Sequence, residues 1–208
     1  MNRIDSILKS AGIDDSLSVK KIHYALTLLR NEITKLVIIG VIFALVGSGI
    51  EFLFSIAMLL PLRTFSGGMH LETNIGCFIY SFVFFFLAIK GLPALYLHQV
   101  VLFFLLFASA APIAAISPVA SYKRPIKTSA RRISLKKRAL ICLTMEVFVL
   151  VFILQFAAKG IFVIGVWVVI LQAVQLIATW AYRKLKGEGK NVGENQEVEL
   201  MVFRSGGD

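Results

Sequence analysis

The sequence predicts an all-helical, polytopic integral membrane protein, on three observations. The 208 residues are 58% hydrophobic and 16% charged, and the mean hydropathy of +0.82 exceeds what the polar surface of a soluble domain permits. The apolar residues, 17 phenylalanines among them, come in long blocks and not in the broken stripes of amphipathic globular helices. The cations gather in one connection: Ser117 to Arg138 holds Lys123, Arg124, Lys127, Arg131, Arg132, Lys136, Lys137 and Arg138 with no acid.

Residues 1–32 read as a cytoplasmic amphipathic region. Met1 to Asp15 lacks an apolar core followed by a small-residue cleavage site, so insertion through the chain's own spans is expected rather than through a cleaved signal. Val19, Ile22, Leu26, Leu29 and Ile33 then recur at helical spacing while Lys20, Lys21, Thr27 and Asn31 fall largely on other faces. Such a helix lies along the membrane surface or packs on the bundle ends.

Residues 33–186 form the membrane domain. The block 33–62 would be about 45 Å long as one helix, against a hydrocarbon core of about 30 Å, and Gly47-Ser48-Gly49 supplies a turn. We therefore expect two short spans as a hairpin, 34–47 and 50–62, then 75–89, 92–116, 139–158 and 161–182, six in all. Lys90-Gly91 and Lys159-Gly160 mark the tight turns between the later pairs. Positive charge favours the cytoplasmic side, which puts the basic segment, the Arg63–Asn74 loop, the Arg183–Lys186 exit and both termini inside. Residues 187–208 mix Gly, Asn, Glu and Lys without apolar period and read as a flexible cytoplasmic tail.

The loop after the second span concentrates reactive groups: Arg63, Gly67, Gly68, His70, Glu72, Asn74 and Cys77. A thiol becomes a useful nucleophile when ionised, and a nearby imidazole can take its proton. Cys77 opens the third span, where free amide N–H groups and the helix dipole favour an anion. Residues seven apart on a straight helix are separated by about 10 Å along the axis, so a His70–Cys77 dyad requires the chain to fold back, with Asn74 and Gly76 as turn residues. Gly67 and Gly68 present backbone N–H groups to an oxyanion or let a substrate chain approach, and Glu72 or Asn74 orients the imidazole. Two nearby ligands fall short of a zinc site, so no metal and no other cofactor is expected.

Arg63-x3-Gly-Gly-x-His70-x6-Cys77 between spans, followed by Pro118-Val119 and Lys123-Arg124-Pro125, resembles the accessory gene regulator B family of membrane peptidases. The likeness runs from about Val19 to Lys186 and is closer in the first motif than in the second. The resemblance implies a cysteine endopeptidase of a Gram-positive cell membrane that cleaves the C-terminal segment from a quorum-sensing peptide precursor. An acyl-enzyme thioester results, and a thiol or hydroxyl within the peptide captures it to close a ring. By position, Cys77 is the nucleophile and His70 the general base. The implied partner is a precursor of the AgrD type, the implied assembly a homodimer, and no nucleic acid is expected.

Arg63 suits either a substrate carboxylate or lipid phosphate, and Lys123, Arg124, Lys136, Lys137 and Arg138 suit an acidic precursor tail or anionic headgroups. Glu51 reads as a cap of the first turn, Glu146 as a polar contact between spans, Cys142 as a small core residue, and His23 and His98 as surface residues. The competing class is a nonenzymatic transporter or membrane scaffold with a basic lipid-binding loop, which would show broken spans and inverted repeats; the gathering of polar residues in one loop favours an enzyme.

Overall fold

A computed structural model describes residues 16–69, 73–119, 128–156 and 159–185, and the named elements among them are all helical. They are α1 (Ser16–Leu45), α2 (Gly49–Ser66), α3 (Asn74–Phe86, continued by a π turn Leu87–Gly91), α4 (Gln99–Ile116), α5 (Ser129–Gln155) and α6 (Lys159–Leu185), with a short 3-10 turn at Pro93–Leu95. Lys123, Arg124, His70, Glu72 and the whole C-terminal tail lie outside the described residues.

The expected surface helix and the expected first span are one continuous helix, α1. Nothing between Ser16 and Leu45 breaks it: there is no proline, Gly40 is the single glycine, and the charged turn neutralises itself through a 3.0 Å ion pair between Lys35 Nζ and Glu32 Oε1. The helix stops at Gly47, where φ is +74°, a conformation that suits a residue without Cβ. There the N–H of Ser48 donates to the Phe43 carbonyl at 2.7 Å and that of Gly47 to the Ala44 carbonyl at 3.0 Å, the paired bonds of a Schellman stop. Glu51 then falls in the first turn of α2, where a carboxylate complements the helix dipole.

Among the described residues five helices are long and apolar enough to cross a membrane: Gly49–Ser66, Asn74–Leu95, Gln99–Ile116, Ser129–Gln155 and Lys159–Leu185. The expected crossing at 34–47 is not among them, because it continues the charged first half of α1. The expected span 92–116 also shortens. Pro93 opens a single 3-10 turn, Tyr96 adopts a left-handed φ of 47°, and His98 caps α4 by accepting the Val100 N–H at 3.4 Å. The basic segment is partly helix: Ser129–Arg138 forms the first turns of α5.

The surface is inverted relative to a soluble protein. Leu45, Ile50, Phe104, Phe107, Phe148 and Phe152 point outward, whereas Gln172, Gln175, Glu146 and Ser109 are buried. In lipid, close packing and interhelical polar contacts, not transfer from water, hold helices together. At the end of the bundle nearest Gly47, Phe43 stacks on Phe52 at 5.3 Å, and Phe52 meets Phe85 edge-on at 4.8 Å, tying α1, α2 and α3. The last helix, α6, is the axis, with Phe162, Val166, Val168, Val169 and Leu176 buried among α2, α4 and α5.

Candidate active site

At the opposite end of the bundle, α2 runs out at Ser66 and the chain enters the loop that carries the reactive residues. Gly67 takes φ +86° and its N–H closes the helix on the Arg63 carbonyl at 3.0 Å. It pairs in parallel with Val119, and the Val119 N–H donates to the Ser66 carbonyl at 2.9 Å. The peptide bond Ser117–Pro118 leading into this contact is cis. A Cβ on Gly67 would lie 2.2 Å from the Val119 carbonyl oxygen, so no side chain fits there. The two loops that the sequence presents separately are thus joined by their backbones.

Gln172 of α6 secures the junction from below. Its Nε2 donates to Ser66 Oγ at 3.0 Å and to the Gly67 carbonyl at 2.9 Å. One turn further, Gln175 faces Gly68: its Nε2 would be 2.9 Å from a Cβ placed there, and Arg63 Nε 3.4 Å from the same point. Neither glutamine stands out in the loop motif; the available signal is two carboxamides three residues apart in an apolar membrane block, where polar side chains mark contacts or sites. Arg63 turns back over the loop, and its Nη2 donates to the Met69 carbonyl at 3.0 Å. That bond commits one of its five donors to the protein itself.

Cys77 sits in the first turns of α3, with 5% of its surface exposed. Thr73 caps this helix, its side chain accepting the Gly76 N–H at 3.2 Å. The Cys77 N–H is already bonded to the Thr73 carbonyl at 3.0 Å, so it is not one of the free terminal donors. Asn74 and Gly76 are helical rather than turn residues. The Cys77 Sγ reaches a partner that the motif does not contain: Glu32 Oε1 of α1, at 3.9 Å. The same oxygen holds Lys35.

The basic start of α5 stands beside the loop. Arg138 lies over the Phe65 ring, 5.9 Å from its centroid, while Lys137 and Arg138 line a shallow open hollow with Ala130, Ile133 and Ser134. Lys136 is exposed. Among the described residues no three His, Cys, Asp or Glu side chains converge to hold a metal. Glu146 departs from the expected interhelical contact: it is 6% exposed and neither carboxylate oxygen has a hydrogen-bond partner among the described residues.

A family model described as Accessory gene regulator B matches residues 2–176, a stretch that contains the reactive loop, Glu32, Cys77 and both glutamines. The chain belongs to the accessory gene regulator B family. An AgrB-like protein of Clostridium beijerinckii is 29% identical over 159 residues, covering 75% of this chain and 77% of that relative. No solved structure matches. Membership in the accessory gene regulator B family gives the chain a role in the accessory gene regulator system, and its apolar helices make it a multi-pass membrane protein. Within that family setting, the geometry adds three parts absent from the loop motif: a carboxylate beside the thiol, an amide staple under the glycines and a backbone link to Val119.

Proposed function

We propose that this accessory gene regulator B protein is a membrane cysteine endopeptidase that cleaves a quorum-sensing peptide precursor and promotes its cyclisation. The observation that carries the reading is the placement of Cys77: a thiol buried at the start of a membrane helix, in a family member. A thiol kept only for packing has no need of a carboxylate beside it, and Glu32 Oε1 lies 3.9 Å from this one.

His70 removes the Cys77 proton, and the thiolate attacks the carbonyl carbon of the scissile peptide bond, forming an S–C bond and a tetrahedral oxyanion. Collapse of that adduct breaks the C–N bond, and the amine of the C-terminal segment leaves with the proton held on the imidazole. The N-terminal segment remains as a thioester on Cys77. A thiol or hydroxyl within that segment attacks the thioester carbonyl, closes a thiolactone or lactone ring and returns the proton to Cys77. Thioester and thiolactone are close in free energy, so capture succeeds when it outruns hydrolysis, which a site at a lipid boundary favours.

The run Arg131 to Arg138 begins α5 at the same end of the bundle as Cys77, and positive charge concentrates on the cytoplasmic side. The reading therefore sets the reaction at the inner face of a Gram-positive cell membrane, with anionic lipid alongside. Incubating the purified protein in lipid nanodiscs with candidate precursors and searching by mass spectrometry for an acyl adduct on Cys77 tests it. Cys77→Ser and His70→Ala are expected to abolish cleavage, and Cys142→Ser to retain it. Cleavage that persists without Cys77 or His70 rules these roles out.

A further inference from the structure

Of the carboxylates among the described residues, Glu32 is the one that stands at the reactive thiol. Glu51 opens α2 at the far end of the bundle and Glu146 is enclosed along α5, whereas Glu32 of α1 brings its Oε1 to 3.9 Å from Cys77 Sγ. The thiol is the donor in that contact. A helix outside the loop motif thus touches the atom that the proposed reaction uses.

The carboxylate is open where the thiol is closed. Cys77 is 5% exposed, but the Glu32 side chain is 36% exposed, while that of Lys35, which holds it, is 12% exposed. Lys35 and Cys77 both engage Oε1, and Oε2 makes no hydrogen bond among the described residues. Glu32 is therefore anchored by one oxygen and offers the other to a further donor.

Ordinary acidities decide what such a carboxylate does. A carboxylic acid is about four pH units more acidic than a thiol, so passing a proton from sulfur to a carboxylate is unfavourable by about ten-thousandfold, and an imidazole is the better acceptor. To take that proton the ring must come within about 3 Å of Sγ. Its second N–H then falls in the neighbourhood of a carboxylate 3.9 Å from the same sulfur. Proton transfer leaves the ring positively charged, and an anion alongside stabilises the imidazolium more than the neutral ring. The same anion opposes a bare thiolate, so it favours the thiolate and imidazolium as a pair and not the thiolate by itself.

We propose that Glu32 is a positioning residue of the reaction: its carboxylate accepts the second N–H of the imidazole that deprotonates Cys77 and holds the imidazolium until the proton passes to the leaving amine. Glu32 itself forms no covalent bond and gains no proton. The proposal rests on the endopeptidase reading and gives to α1 the orienting role that the loop motif leaves between Glu72 and Asn74.

The test uses the full-length protein in nanodiscs with the synthetic precursor found to acylate Cys77, and two substitutions that separate charge from shape. Glu32→Gln keeps the size of the side chain and removes its charge; Glu32→Asp keeps the charge and draws it back by one methylene. In Glu32→Gln kcat is expected to fall about a hundredfold with KM little changed, and in Glu32→Asp to fall less. Alkylation of Cys77 by iodoacetamide is expected to rise in Glu32→Gln as cleavage falls, because it needs the thiolate and not the imidazolium. If Lys35 without its counter-ion keeps Glu32→Gln from folding, the double variant Glu32→Gln with Lys35→Gln is expected to show the same loss of kcat. Parent-like kcat in a folded Glu32→Gln or in the double variant overturns the proposal, as does alkylation that falls in parallel with cleavage in Glu32→Gln, or a Glu32→Asp that loses as much kcat as Glu32→Gln. Cleavage that survives Cys77→Ser, measured in the same assay, overturns the endopeptidase reading instead.

Discussion

Cys77 Sγ lies 3.9 Å from Glu32 Oε1, a carboxylate forty-five residues upstream that is itself held by Lys35 at 3.0 Å. The thiol thus faces an ion pair, and the charge it acquires on ionising meets repulsion from one partner and attraction from the other. Glu32→Gln removes the repulsion and leaves the ammonium uncompensated. Alkylation of Cys77 by iodoacetamide at neutral pH is expected to accelerate about threefold to tenfold, and Lys35→Gln to slow it by a similar factor, the effects shrinking in high salt. Equal rates in all three proteins would show that the contact has no electrostatic bearing on the thiol.

Gln172 is the second test. Its amide is the buried donor to Ser66 Oγ and the Gly67 carbonyl, so Gln172→Leu leaves both acceptors without it and is expected to destabilise the protein by about 1–3 kcal/mol. Ser66→Ala removes one acceptor and keeps the other, and its cost is expected to be smaller. Thermal unfolding in detergent measures both, and the double variant is expected to fall short of the sum.

Gly67 leaves no room for a side chain. Gly67→Ala puts a methyl group 2.2 Å from the Val119 carbonyl oxygen at a φ of +86°, so the contact between the loops must open. Loss of cleavage together with new protease sensitivity near residues 67 and 119 is expected, whereas an active and protease-resistant Gly67→Ala would contradict the geometry. Gly68→Ala meets the end of a side chain instead of backbone, and removing that side chain as Gln175→Ala is expected to relieve the clash.

The basic start of α5 supplies the fourth. Lys136→Gln with Lys137→Gln is expected to weaken binding of a precursor with an acidic tail severalfold, with a shallower salt dependence, and to leave cleavage of bound peptide unchanged. Arg138→Gln is expected to act also on stability, since Arg138 stands over Phe65 and a cation–π contact is worth about 0.5–1 kcal/mol at an exposed site. Affinity unchanged in the double variant assigns these lysines to lipid alone.

Much of the fold is written in hydropathy. Long apolar blocks, the glycine at 47 and the basic run specify helices, a stop and an end of the bundle, because each reflects a local rule about lipid, φ or charge. The continuity of α1 is not legible in that way: a surface stripe followed by an apolar block reads as two elements, and only the lack of a breaker between them makes one helix. The first six residues of the block 92–116 carry no charge yet are not part of α4, since hydropathy does not register the 3-10 turn at Pro93 or the left-handed Tyr96. At the site, Cys77 and the glycines announce themselves through a local motif. Glu32, Gln172 and Gln175 do not, because they reach the loop through packing across α1 and α6, and no spacing in the chain encodes that.

The bond from the Val119 amide to the Ser66 carbonyl makes partners of segments more than fifty positions apart in the chain. Chimeras that exchange only one of these segments between relatives would carry a half of a mated surface into a foreign counterpart. Domain-swapping experiments on precursor choice are therefore best cut so that residues 63–77 and 117–119 travel together, with the terminal helix that underlies them.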